Sequence, residues 1–172
     1  HDKGYETIPP RGPLAALTCA GAVSGWHKAL QVSKRDWGGK MDLSRLLEDA
    51  IFYAEDGVPI TKTQANNASE KFCELKDLPG FSETFLFDGK VPREGQRFWQ
   101  KRLARTLRQL CEKGLEDFYT GDIAHSMASD LSRLGSPLRY QDFERHEAKR
   151  IDPLMLDCDG HTVFNMPPPT QG

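Results

Sequence analysis

The dipeptide Asp159-Gly160 most narrows what this chain can fold into. It sits between two runs of β-forming residues, Leu154 to Leu156 and Thr162 to Phe164. Alternatives to a hairpin with a two-residue turn are poor for such a pattern. Past the second run, Pro167, Pro168 and Pro169 cannot donate backbone hydrogen bonds and fix φ near about −65°, so the strand must stop and leave its sheet as a stiff extended segment. Only Thr170-Gln171-Gly172 follow. A single hairpin is marginal by itself. The two strands are therefore expected to need further strands from outside these residues, and the chain reads as one part of a larger protein.

Ahead of the hairpin the apolar spacing is helical. His1 to Thr18 carries Pro9, Pro10, Gly12 and Pro13 among few apolar residues and is expected to be an extended connector. From Gly21, Val23, Trp26, Ala29 and Leu30 recur at helical spacing, with Trp26 expected in the core. Asp42 is placed to cap a helix whose inward series is Leu43, Leu46, Leu47, Ala50, Ile51 and Ala54. Gly57 supplies a left-handed end, and Pro59 blocks resumption. Thr61 with Gln64 forms a capping box ahead of Ala65, Ala68 and Phe72, until Pro79-Gly80 breaks the run. Thr84 to Phe87 before Asp88-Gly89 fits either a short strand or a loop that buries Phe85 and Phe87. Beyond Pro92 a helix of about 14 residues places Leu103, Leu107, Leu110 and Cys111 on one face and Lys101, Arg102, Arg105 and Arg108 around the other. After Gly114, Phe118 and Tyr119 precede a helix of Ile123, Ala124, Met127, Leu131 and Leu134 that Gly135 ends. Pro137 to His146 is expected to hold another short helix.

Composition removes several functions. The chain has 172 residues and 19.4 kDa, enough for one domain with its own core. Its 23 basic and 25 acidic residues leave a formal charge of −2, with no basic stripe interleaved with aromatics, which argues against nucleic acid as a partner. No apolar run approaches the roughly 20 residues of a membrane span, and no signal-peptide pattern follows His1. Cys19, Cys73, Cys111 and Cys158 are too scattered for zinc-ligand spacing. They are either buried free thiols or, in an exported protein, up to two disulfides.

Four blocks, in order along the chain, resemble the γ-glutamyltransferase family. Gly21-Ala22-Val23-Ser24-Gly25 is similar to the family's P-G-A-V-x-G, with Ala20 where proline is usual. Leu46-Leu47-Glu48-Asp49-Ala50-Ile51 with Ala54-Glu55-Asp56-Gly57 is similar to L-L-x-x-A-I-x-x-A-x-x-G. Leu103-Ala104-Arg105-Thr106-Leu107, then Gly114 and Asp117-Phe118-Tyr119-Thr120-Gly121, resemble L-A-x-T-L and G-x-x-x-F-Y-x-G. Gly160 to Gly172, with Met166-Pro167-Pro168-Pro169, resembles the strand that leads into a proline triplet. Arg139 stands at the helix start where the family usually has threonine. The resemblance implies an α+β, αββα N-terminal-nucleophile hydrolase made as a self-cleaving precursor. In it the new terminal threonine of a small subunit attacks the γ-glutamyl amide of a glutathione-type donor, its own α-amine acting as base. This chain would then be large subunit only, with residues 1–20 a connector, 21–146 the helical region and 147–172 the hairpin and proline-rich exit. The rest of the precursor, including the small subunit, would be its partner, with a homodimer through exposed surface open. Family habit points to a periplasmic or secreted protein, the alternative being cytoplasmic.

No catalytic, cofactor-binding or metal residue is assigned, and no cofactor is expected. His161-Thr162 reverses the threonine-histidine order of the processing site and lies inside a strand. Arg11, in Pro10-Arg11-Gly12, does not match the arginine-glutamate block that grips the donor's carboxylate. Asp122 with His125 and Asp142 with His146 are expected to be surface ion pairs. The arginine-rich helix face is expected to be a solvated face, because no glycine-rich anion loop precedes it. Asp157 and Asp159 are turn residues. The segment alone should be inactive. Two other readings stand beside this one, a non-catalytic helical interaction module and an amide acylase of the same family.

Overall fold

The computed structural model describes residues 4–78 and 80–170. His1, Gln171 and Gly172 lie outside the described residues, as does Pro79 of the expected Pro79-Gly80 break. Residues 4–20 contain neither helix nor strand. The helices that follow are α1 (Ala22–Asp36), α2 (Leu43–Asp56), α3 (Lys62–Leu75), α4 (Phe81–Phe85), α5 (Lys101–Lys113), α6 (Asp117–Thr120), α7 (Asp122–Arg133) and α8 (Tyr140–Glu144). Strand β1 (Val58–Pro59) pairs antiparallel with β2 (Arg97–Phe98), and β3 (Leu154–Cys158) with β4 (His161–Asn165). The architecture is α+β and predominantly helical, as the pattern required.

Local chemistry accounts for most boundaries. At the start of α3 the Thr61 hydroxyl accepts from Gln64 N at 3.1 Å. Asp42 occupies the cap position of α2, yet its carboxylate makes no capping bond. Gly57 closes α2 at φ 87 and ψ 155, an extended glycine conformation instead of the expected left-handed one. A Cβ there would meet Arg97 Cγ at 2.8 Å and Trp99 Cδ1 at 2.9 Å. The missing side chain is what lets residues 97–99 come alongside, and the unforeseen β1–β2 pair results. Pro59 fits because a pair this short demands little of its backbone.

Three apolar faces are rotated from the expected ones. On α1 Val23 is buried and Leu30 half-buried, while Trp26 is 46% exposed and Ala29 is also exposed. On α2 Ile51 and Ala54 are buried, but Leu46 and Ala50 face outward. On α5 Ala104, Leu107 and Leu110 turn inward and Leu103 stays 43% exposed. At Thr84 to Phe87 the chain forms the end of α4, and Phe87 pairs with Lys90 across the Asp88-Gly89 turn. Two small cores result. Val23, Leu110, Leu115 and Tyr119 form one, and Ala124, Ala128, Leu138 and Phe143 the other, with Cys19 packed against both.

The hairpin has the predicted turn, since Asp159 and Gly160 take φ 48 and 77, the paired positive values of a type I′ turn. Leu156 opposes Val163 and Met155 opposes Phe164. Opposed residues share a face, so both faces are apolar, and every residue of both strands is exposed.

Candidate functional site

Helix α1 begins without help from its own sequence. Gly21 at its cap position has no side chain to satisfy the first N–H groups, which need acceptors from elsewhere. One arrives across the fold from α6. Tyr119 Oη accepts from Ser24 N at 2.8 Å and donates to Ala20 O at 2.7 Å. Burial pushes the Tyr119 phenol above its ordinary pKa, partly offset by the Ser24 N–H. The phenol therefore stays protonated and keeps both bonds. This joins the Gly21-to-Gly25 block to the Asp117-to-Gly121 block.

A second layer covers this joint. Ser24 Oγ accepts from Ala148 N at 2.6 Å. The His146 ring stacks on Tyr119 with centroids 5.2 Å apart and planes at 28°. Its Nε2 comes within 3.3 Å of where a Cβ on Gly21 would stand, and it has no hydrogen-bond partner among the described residues. Beside the joint lies a cleft of about 420 Å³ lined by His27, Gln31, Glu116, Thr120 and Glu144, among others. His27 Nε2 is 2.6 Å from Gln31 Nε2 and 3.8 Å from Glu116 Oε1. Lys28 Nζ donates to Glu147 Oε1 at 3.0 Å and holds that carboxyl below its ordinary range.

The cleft combines imidazoles with carboxylates, and the Ser24, Tyr119 and Thr120 hydroxyls that line it are all hydrogen-bonded. Ser24 Oγ is committed to Ala148, and Tyr119 is committed on both sides. The four cysteines are free thiols. Burial, and secondarily Asp142, raises the Cys19 pKa, and burial raises that of Cys111, so both favour the unreactive thiol.

The expected acid-imidazole ion pairs do not form. Asp122 instead takes Lys113 Nζ at 2.6 Å, and His125 stacks on Tyr140 at 4.2 Å and 3°. Asp142 accepts the Arg139 N–H at 2.8 Å, so the acid at the third helical position, reaching back, does the work that a threonine cap would otherwise do. Asp122 is thus taken by a lysine and Asp142 by the backbone at the start of its own helix. On the basic face of α5, Arg108 is bidentate to Glu55 at 3.0 and 2.6 Å and Arg102 pairs with Glu83 at 3.5 Å. Arg11 pairs with Glu74 on α3. Thr162 Oγ1 donates to Asp157 Oδ1 at 2.7 Å within the hairpin. Among the described residues no group of three or more His, Cys, Asp or Glu could hold a metal ion, and no helix is long and apolar enough to cross a membrane. Sequence reasoning missed the Tyr119–Ser24 joint. Its traces were a helix start with no capping residue and a tyrosine of unexplained placement in a later block.

Comparison with known proteins places this geometry. A family model described as gamma-glutamyltranspeptidase matches residues 1–172. The oxamate amidohydrolase proenzyme of Klebsiella pneumoniae is 48% identical over 169 residues, 98% of this chain and 32% of its own length. The glutathione hydrolase-like YwrD proenzyme of Bacillus subtilis is 35% identical over 170 residues, 99% and 31% respectively. The solved γ-glutamyltranspeptidase of Helicobacter pylori superposes with a TM-score of 0.87 at 28% identity, covering 96% of this chain and 46% of that one. The chain thus spans about a third of the length of these curated relatives.

Proposed function

This chain belongs to the γ-glutamyltranspeptidase family, and from that premise we propose that it is large-subunit sequence of an amide-cleaving proenzyme whose nucleophilic threonine lies outside residues 1–172. The helical region supplies one layer of the αββα fold and β3–β4 supplies two strands of its sheet. The rest of the precursor, including the small subunit, completes both. The attacking hydroxyl comes from that small subunit, where a free α-amine takes its proton. It attacks the γ-glutamyl amide carbonyl, the C–N bond breaks, the amine leaves with that proton, and water or an acceptor amine then resolves the γ-glutamyl ester.

The carrying observation is the hairpin, apolar and exposed on both faces, with Met155, Leu156, Val163 and Phe164 between 53% and 67% exposed. Strands that are apolar on both faces belong inside a layered fold. Total surface supports the same reading. The chain exposes 12682 Å² where a compact monomer of its mass would expose about 8500 Å².

The relative at 48% identity favours a second reading, hydrolysis of a small amide other than a γ-glutamyl one. One experiment addresses both. The continuous precursor is expected to cleave itself and then release anilide from a γ-glutamyl anilide, while the 172-residue chain releases none. Ammonia release from oxamate with no anilide release selects the second reading. Turnover by the 172-residue chain alone, or a precursor that neither cleaves itself nor attacks either amide, overturns the proposal.

A further inference from the structure

We propose that residues 145–153 are a strap that sets the position of the β3–β4 hairpin on the helical layer, with Ser24 and Tyr119 as positioning residues for the amide cleavage proposed above, a reading on which this inference rests. All ten residues of the hairpin strands are exposed, so its own faces do not fix its place against the helices. What fixes it is the segment that delivers it. Between α8 and β3 the chain lies along α1 and is tied at successive points. His146 stacks on Tyr119, Ala148 N donates to Ser24 Oγ, Glu147 takes Lys28, and Arg150 Nη1 donates to Asp36 Oδ2 at 3.0 Å. Residues 148–150 also line a groove of about 370 Å³ with Gly25, Val32 and Trp37.

The ties are unequal. The Lys28 and Arg150 pairs are solvent-exposed, and exposed pairs contribute little. The Ser24 bond is partly buried, and Ser24 is itself held by the Tyr119 hydroxyl, which also fixes Ala20. Gly21 leaves room for the His146 ring, since a Cβ there would come within 3.3 Å of Nε2. The Gly21-to-Gly25 and Asp117-to-Gly121 blocks therefore form a seat for the strap. In a layered enzyme whose sheet carries the reacting groups, a shift of about 1 Å in a strand costs on the order of a hundredfold in rate.

The test uses the continuous precursor with S24A, S24T, H146A and H146F. Hydrogen exchange of a peptide covering residues 145–153 reads strap attachment directly. Self-cleavage, kcat and KM on a γ-glutamyl anilide and on oxamate read the consequence. S24A is expected to speed exchange of the strap and lower kcat about tenfold with KM within about twofold, a fraction of the loss that full misplacement brings. S24T, which keeps the hydroxyl, is expected to restore both. Faster exchange with unchanged kcat and self-cleavage overturns the inference, as does unchanged exchange or an S24T as impaired as S24A. If S24A does not fold, His146 decides: H146A, which removes the stack on Tyr119, should speed exchange and lower kcat, H146F, which keeps a ring there, should restore both, and an H146A no different from wild type overturns the inference. A wild-type precursor without turnover on either amide overturns the functional reading instead, and the exchange measurements still separate a docked strap from a loose one.

Discussion

Tyr119 carries more of the fold than any single letter of the sequence announces. It is 6% exposed, shares a core with Val23 and Leu115, and bonds two backbone groups on a helix start that lies almost a hundred residues earlier. Tyr119→Phe keeps the ring and its stack but leaves the Ser24 N–H and the Ala20 carbonyl without that partner, so it should lower stability by about 1–3 kcal/mol in urea denaturation. At Gly57, positive φ and crowding by Arg97 and Trp99 act together. Gly57→Ala is expected to cost about 1–3 kcal/mol, measured the same way. Asp36 answers to pH. Arg35 first, and then Arg150, hold its carboxyl at about 2 against an ordinary 3.8. Its folded-state pKa lies below the unfolded one, so its contribution is complete above about pH 4 and is lost as pH falls toward 2. Asp36→Asn should flatten the fall in Tm across that window, and an unchanged acid limb would count against the pairing.

At the scale of elements, helix existence was legible and helix phase less so. The α2 series and the Thr61 cap put two helices in place because both signals are local, one an apolar periodicity and the other a side-chain oxygen on the nearest backbone N–H. The inward face of α5 lies one residue from the expected one: Leu103 outranks Ala104 in hydrophobicity, yet Ala104 is 1% exposed and Leu103 43%, on a helix packed against α2. Ala104→Leu should therefore destabilise by about 1–3 kcal/mol through overpacking, and Leu103→Ala in the 172-residue chain by much less. A reversed order in thermal melts would restore the original face. The β1–β2 pair was invisible for another reason. Two residues on each side carry no periodicity, and their pairing across almost forty positions depends on a glycine that lets the backbones meet.

At the scale of the molecule, burial is incomplete within these residues. Among those described, Trp37, Met41, Tyr53, Met155, Leu156 and Phe164 all stand more than half exposed. The 172-residue chain is accordingly expected to bind ANS strongly, and the double substitution Leu156→Lys with Phe164→Lys to reduce that binding by removing apolar surface from both hairpin faces. The continuous precursor should bind little, and equal dye binding by the two would show that the rest of the protein does not cover this surface. The helical series and the two-residue hairpin turn followed from sequence alone, because each rests on near neighbours or on glycine's torsions, whereas the expected extended proline exit is instead a turn in which Thr170 N donates to Pro167 O at 3.3 Å. Only the tertiary structure decided that Tyr119 caps α1, that His146 and Ala148 settle over the same joint, and that Trp26 and Leu103 face outward. Those outcomes depend on which distant backbone groups arrive within hydrogen-bonding or packing distance, and no local pattern encodes that.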